Sequence, residues 1–467
     1  MISGRTCIQN AVVVTMDPTL GNFREADILV EGAKILAVGE NLNTESTEVI
    51  DARGMIAMPG FVDCHRHVWQ SNIRHVASNW TLMQYLLASR VAYAGAYSVE
   101  DMLLGQYAGA LEALDAGITT VVDHAHNLAS PEHVDAAIEG TKKSGIRSVF
   151  CYGMGDVVKD GNLFEGNTTP AWHFDDLRRV ADEHLNSTDR VYLGVALNEM
   201  PFSTIDSLRK EIEAARELGA RLITFHMSLP GAESVFELSE AGLLSSDMLV
   251  THGFFLTDRE LELLANHGAS VVSTLDSELQ MGMGYGITTR AREFGVNYSL
   301  GVDIVSGNGG DLFGQMRLSL QTQRAFHNQE LIKAGEPLKA LNVNVRDVLW
   351  SATVGGANAA GLGQELGSLT PGKQADIILL NCNRVGLQPM GDPETAIVMH
   401  AGVGDVDTVL VEGTVVKRNG RLLGVDQSEL FSQLEDSRNG IFDRIRAIDP
   451  GIIDSLRPMG FPELFPE

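Results

Sequence analysis

PGFVDCHRH, residues 59–67, decides how this chain is read. An apolar run opens behind Pro59-Gly60 and ends in two histidines. Residues two apart on a strand face the same way, so His65 and His67 leave the strand end together. Downstream, short apolar runs alternate with amphipathic stretches. ITTVVDHAH (118–126), RSVFCYG (147–153), RVYLGVAL (190–197), RLITFHM (221–227), MLVTHG (248–253), ASVVSTL (269–275) and VNYSLGVD (296–303) are the further strand candidates. The helices between them have legible ends. One opens at Ser98-Val-Glu-Asp101, stops at Gly117, and is expected to bury Leu103, Leu104, Leu111 and Leu114. Another carries Ile205, Leu208, Ile212, Ala215 and Leu218 up to Gly219, and a third runs from the capping box Thr257–Glu260 to Gly268. Eight strands alternating with helices predict an α/β fold, a (β/α)8 TIM-type barrel over residues 59–362. A doubly wound open sheet is the alternative, but no G-x-G-x-x-G follows an early strand.

Both ends of the chain read as short β-rich runs. VVVTM, ADILVEG, KILAVGE and TEVIDARG lie within residues 1–58, and ADIILL and DTVLVEGTVVKRNGRLLG within 363–424, where Asn419-Gly420 is a hairpin signal. Neither end makes a good sheet alone, so the two are expected to join as a small β-sandwich domain. Residues 425–467 are an acidic tail assigned to packing or subunit contact. With 35 Lys and Arg against 61 Asp and Glu, the formal charge is −26, which argues against a nucleic-acid or anionic-membrane partner. The four cysteines form no C-x-x-C and there is no long apolar span or basic signal-type head, so a cytoplasmic protein is expected.

The chemistry gathers at strand ends. His65 and His67 are followed by His226 at the close of LITFH, His252 at the close of LVTH and Asp303 at the close of YSLGVD, the rim where a barrel collects its catalytic groups. Histidines capping strands by backbone hydrogen bonds would explain one or two of these, not four histidines and a carboxylate on four strands. A divalent-metal site is the better reading. Trp69, Gln70, Trp80, Tyr85 and Tyr93 follow the first strand and read either as core packing or as an apolar wall suited to a small uncharged organic substrate. His126 and Met154 are placed with Trp69, Gln70, Trp80 and Tyr85 as substrate contacts. His124 and His126 form a second H-x-H pair, which either lines the pocket or is structural.

Taken together, PGFVDCHRH, GITTVVD, the later strand-end histidines, GVD and GSLTPGKQADIILL resemble the amidohydrolase superfamily over about Ile8 to Gly424. The likeness is greatest to the branch of cytosine and S-adenosylhomocysteine deaminases and triazine hydrolases. It implies that His65, His67, His226 and Asp303 hold one divalent ion, zinc first, with cobalt, manganese or iron also accommodated. His252 would orient the ion's water and Asp303 take its proton, making these two the catalytic pair. It also implies a homo-oligomer. Binuclear members carry a bridging Lys at the fourth strand, where this chain has Asn198 and Glu199, so one metal is favoured. Deaminases of the branch place a Glu three residues after the fifth-strand His; here that residue is Leu229. Their seventh strand ends in a His-Asn-Pro-type segment; here it is Ser273-Thr274-Leu275-Asp276. The expected function is therefore hydrolysis of an uncharged amide, urea or (thio)carbamate, with the phenylurea and molinate hydrolases as the nearest relatives. The alternatives are a heterocycle deaminase that recruits another carboxylate, such as Glu233 or Glu278, and a silent scaffold acting through assembly.

Overall fold

The computed structural model describes residues 4–43, 47–155, 157, 168–185, 190–198, 203–228, 234–448, 450–462 and 464. Nine strands come from the chain ends: β1 (Arg5–Val14), β2 (Asn22–Glu31), β3 (Lys34–Gly39), β4 (Glu48–Asp51), β5 (Met55–Pro59), β14 (Ile377–Asn381), β15 (Val406–Val411), β16 (Thr414–Arg418) and β17 (Arg421–Leu422). They form one sheet in the order β17-β16-β15-β14-β5-β1-β2-β3, with β4 also on β1, so the small domain is a single hydrogen-bonded unit. Asn419 and Gly420 turn β16 into β17 with φ of 51° and 72°, the left-handed pair that a tight hairpin needs.

Between them lie the barrel strands β6 (Phe61–Arg66), β7 (Ile118–Ala125), β8 (Arg147–Gly153), β9 (Val191–Ala196), β10 (Ile223–Met227), β11 (Met248–His252), β12 (Ser270–Ser273) and β13 (Asn297–Leu300). They pair in parallel and in chain order. β6, β7, β8, β11 and β12 are buried along their whole length, as expected of a parallel sheet covered by helices. The stretch expected as one strand, MIAMPGFVDCHRH, divides at Gly60. β5 belongs to the small sheet and β6 to the barrel, and a Cβ at Gly60 would run into the Thr119 side chain. Fully buried Arg147 on β8 reaches back to the small sheet, bridging Asp376 at 3.0 Å and Glu412 at 2.8 Å.

β13 closes against β6 just past its own end. Asp303 N donates to His65 O and His67 N donates to Asp303 O, both at 2.8 Å. Gly301 makes the approach possible, because a Cβ there would lie 2.8 Å from both His65 N and His65 O. Buried Asp63 steadies the same join, accepting from Val302 N at 3.0 Å and from Arg66 Nε at 2.8 Å.

The helices start and stop where their caps predict. Ser98 and Asp101 form a capping box on Val99–Asp115, and Thr257 and Glu260 form one on Asp258–His267, which ends at left-handed Gly268. Ile205–Glu217 buries Leu208, Ile212 and Ala215. One expectation fails: Leu103 and Leu104 are only half-buried. The buried face of Val99–Asp115 runs through Gly105 and Gly109, where the backbone of Val68 and Trp69 occupies the space a side chain would take.

The tail packs on its own chain. Gln427–Arg446 buries Ile441, Phe442 and Ile445, Asn72 donates to Ser437 at 2.7 Å, Arg444 pairs with Asp101, and Tyr93 donates to Leu464 O at 2.8 Å. Cys7, Cys64, Cys151 and Cys382 are all buried free thiols. Among the described residues no helix is long and apolar enough to cross a membrane.

Candidate metal centre

The five rim residues converge. His65 Nε2 lies 3.3 Å from both His226 Nε2 and Asp303 Oδ1, and His67 Nε2 lies 3.5 Å from the same Asp303 oxygen. Donor atoms of His65, His67 and His226 fall within 4.8 Å of one another, as do those of His65, His252 and Asp303. Bonds of roughly 2.0–2.1 Å to a tetrahedral ion put neighbouring donor atoms about 3.3 Å apart, so this spacing fits a divalent cation.

Protonation fits too. Burial drives His65 down to about 4 against the pull of Asp303, and holds His67 well below the usual imidazole value. Burial opposes ionisation of Asp303, but the hydrogen bond and charge of His65, with His252 and His67 beyond, keep its carboxyl below the ordinary range. The result is that His65 and His67 are neutral imidazoles beside one carboxylate, the state metal ligands require. His67 Nδ1 lies 2.9 Å from His124 O, to which it donates, leaving Nε2 for the centre. Asp303 and His252 hold φ of 70° and 71°, the left-handed region that non-glycine residues seldom enter.

The expected substrate contacts divide. His126 and Met154 line a small cavity with His124, Gly153 and Asn198, and the His126 ring is 4.2 Å from His67. Trp69 is buried with its ring 5.8 Å from His126. Gln70 is used internally, donating to Tyr85 Oη and accepting from Ser306 Oγ, each at 2.6 Å. Trp80 packs against Tyr93, and Trp80, Tyr85 and Tyr93 all belong to the buried core behind the rim. Gln70, Trp80 and Tyr85 are not among the residues lining that cavity, while burial and the nearby charge of Asp303 raise the Tyr85 phenol above its ordinary range. Leu229, Glu199 and Glu233 lie outside the described residues.

Two further residues stand at the centre: His124, outside the expected ligand set, and Glu278, expected only as a carboxylate that a deaminase could recruit. The His124 ring stacks on His226 at 4.2 Å, sits 5.2 Å from His67, and has its buried Nδ1 without a hydrogen-bond partner. Its signal was present: His124-Ala125-His126 repeats at the end of β7 the spacing of His65 and His67 on β6. Glu278, fully buried, lies beside His252 with Oε1 3.4 Å from Nδ1.

Burying neutral histidines makes the chelator-stripped protein sensitive to acid. His65 titrates near 4 when folded and near 6.5 when unfolded, so below about 6.5 the unfolded chain binds more protons and stability falls as pH drops toward 4. At pH 5 the loss from His65 alone is about 2 kcal/mol. Urea midpoints at pH 7 and pH 5 check this; equal midpoints would contradict it.

Comparison with known proteins agrees with this geometry. Residues 56–416 match the amidohydrolase family. The 5-methylthioadenosine/S-adenosylhomocysteine deaminase of Thermococcus kodakarensis is 30% identical over 404 residues, 84% of this chain and 89% of that protein. The 5'-deoxyadenosine deaminase of Methanosarcina barkeri is 26% identical over 461 residues, 94% of this chain and 99% of that one. Among solved structures, the atrazine chlorohydrolase of Arthrobacter aurescens TC1 complexed with zinc superposes with a TM-score of 0.82 at 22% identity, covering 93% of this chain and all of that one. A zinc-bound adenosine deaminase from Xanthomonas campestris gives 0.80 at 21%, covering 95% and 99%. At those identities the two structures share the fold. These relatives are deaminases and a triazine hydrolase, so the expected kinship with phenylurea and molinate hydrolases finds no support in them. With the barrel, the converging rim donors and a match over most of its length, this chain belongs to the amidohydrolase family and is a metal-dependent hydrolase acting on carbon–nitrogen bonds.

Proposed function

We propose that the protein is a deaminase that removes an exocyclic amino group from an aromatic heterocycle, with an adenosine-type nucleoside the first substrate to test. The observation that carries this is the approach of His226 and Asp303 each to 3.3 Å from His65 Nε2, in a chain whose relatives over most of its length are named as nucleoside deaminases. One divalent ion bound there, zinc by analogy with the solved neighbours, would supply Lewis acidity and lower the pKa of water. Asp303, held ionised, is the base that takes the first proton. His252, within 4.8 Å of His65 and Asp303 by its donor atom, carries a proton to the departing amine. His126 and Met154 flank the cavity beside the centre and would bound the heterocycle.

A second reading is hydrolysis of an amide, urea or (thio)carbamate. Leu229 favours it, because a leucine side chain cannot move a proton to a ring nitrogen. Turnover by the zinc-loaded protein separates the two. Ammonia is expected from methylthioadenosine, 5'-deoxyadenosine or an aminotriazine, and no amine or thiol from a phenylurea or thiocarbamate. Amine or thiol release without any ammonia would replace the first reading with the second.

A further inference from the structure

Glu278 is an acid in an expensive place. It sits on the short helix Leu275–Gln280 that follows β12, with no solvent exposure. An ionised carboxylate so placed costs several kcal/mol unless compensated. Among the described residues the basic side chain beside it is His252, and no Lys or Arg pairs with it. Oε1 accepts from Thr274 N at 2.8 Å and lies 3.4 Å from His252 Nδ1, while Oε2 is enclosed without a hydrogen-bond partner. The mount is firm. Glu278 N donates to Thr274 O at 3.0 Å, and Glu278 O accepts from Met283 N at 2.9 Å.

We propose that Glu278 is a positioning residue whose carboxylate fixes the tautomer and orientation of His252. His252 Nδ1 faces two oxygens, Thr274 Oγ1 at 3.0 Å and Glu278 Oε1 at 3.4 Å. A hydroxyl accepts or donates, so Thr274 alone permits either tautomer. A carboxylate only accepts, and its charge places the proton on Nδ1 and leaves the Nε2 lone pair for the rim. After Asp303 has taken the first proton of the attacking water and passed it to the ring nitrogen, Nε2 takes the second, and the imidazolium forms beside a negative charge. That proton then passes to the leaving nitrogen, which departs as ammonia, and His252 returns to neutral. Glu278 thereby serves the acid–base demand that Leu229 cannot meet, through His252 and without touching the substrate. The kinetic consequence rests on the deaminase reading; the tautomer does not.

The test uses zinc-loaded protein labelled with 15N-histidine, with the His252 signals identified by difference against His252→Asn. In the wild type, His252 is expected protonated at Nδ1 and bare at Nε2. Glu278→Gln, whose amide can donate, should give mixed or inverted tautomers. With an active substrate it should lower kcat by about 10²-fold or more while KM stays within about threefold, and Glu278→Asp should recover part of the loss. A wild-type His252 bare at Nδ1, or a tautomer unchanged in Glu278→Gln, overturns the proposal. If Glu278→Gln does not fold, Thr274→Val decides: persistence of the Nδ1 proton supports the carboxylate, and its loss assigns control to the hydroxyl and overturns the proposal. The expected tautomers in a protein that releases no ammonia from any heterocycle support Glu278's role and sink the deaminase reading alone.

Discussion

Asp303→Ala is expected to abolish turnover and the tight binding of a divalent ion together. Its carboxylate is the anionic donor of the cluster, 3.3 Å from His65 Nε2 and 3.5 Å from His67 Nε2. Without it, three imidazoles face a cation with no anionic ligand to balance its charge. On the proposed mechanism the proton acceptor goes at the same stroke, and loss of general base catalysis alone removes roughly 10²–10⁴-fold. The fold should survive, because the contacts that close the barrel here are Asp303 N and O, which alanine retains. The left-handed φ of 70° adds a penalty of about 1 kcal/mol for alanine, so a modest fall in unfolding temperature belongs to the expected result. Metal content per chain, turnover and thermal unfolding measured on one preparation check the three parts separately. A variant with full metal and most of its turnover would refute the ligand assignment.

The second large effect comes from adding a single methyl group. In Gly301→Ala the new Cβ would stand 2.8 Å from His65 N and O and 3.0 Å from His65 Cβ, and two of these three neighbours are backbone that cannot rotate away. β13 must retreat from β6, stretching both 2.8 Å hydrogen bonds at Asp303 and pulling the carboxylate away from His65. The expected cost is about 3 kcal/mol or more, with zinc affinity falling as well. Gly314→Ala is the control. It lies in the helix Leu312–Ala334, where the nearest atom to the new Cβ is 3.7 Å away, and it should stabilise slightly, by about 0.5–1 kcal/mol. Urea unfolding and zinc titration of the two variants compare the effects. Equal midpoints would mean the join tolerates more slack than its distances imply.

Much of this was legible in the sequence because strand ends carry a position-specific signal. A histidine closing LITFH or LVTH, and an aspartate closing YSLGVD, have nowhere to be but the barrel mouth once eight strands are counted. Asn419-Gly420 likewise marks its turn by local conformation alone. What escaped depends on neighbours remote in sequence. His124 and a histidine packed on a buried strand look the same on paper; only its stacking on His226 sets it apart. The bonds of the Gln70 amide to Tyr85 and Ser306 likewise join residues far apart in the chain. Glu278 could be named as a carboxylate to recruit, but its place against His252 exists only when β11 and β12 lie side by side.

The way the barrel shuts has a bearing on its biogenesis. Residues 65 and 303 stand near opposite ends of the barrel sequence, and the carboxylate arrives on the segment that completes the ring. A nascent chain that has emerged only as far as β12 already holds all of the rim imidazoles and none of this negative charge. Such a chain grips a cation poorly. If the rim holds its ion as proposed, capture is expected late, once long-range closure has succeeded, so that the ion would seal finished molecules and discriminate against partly folded ones.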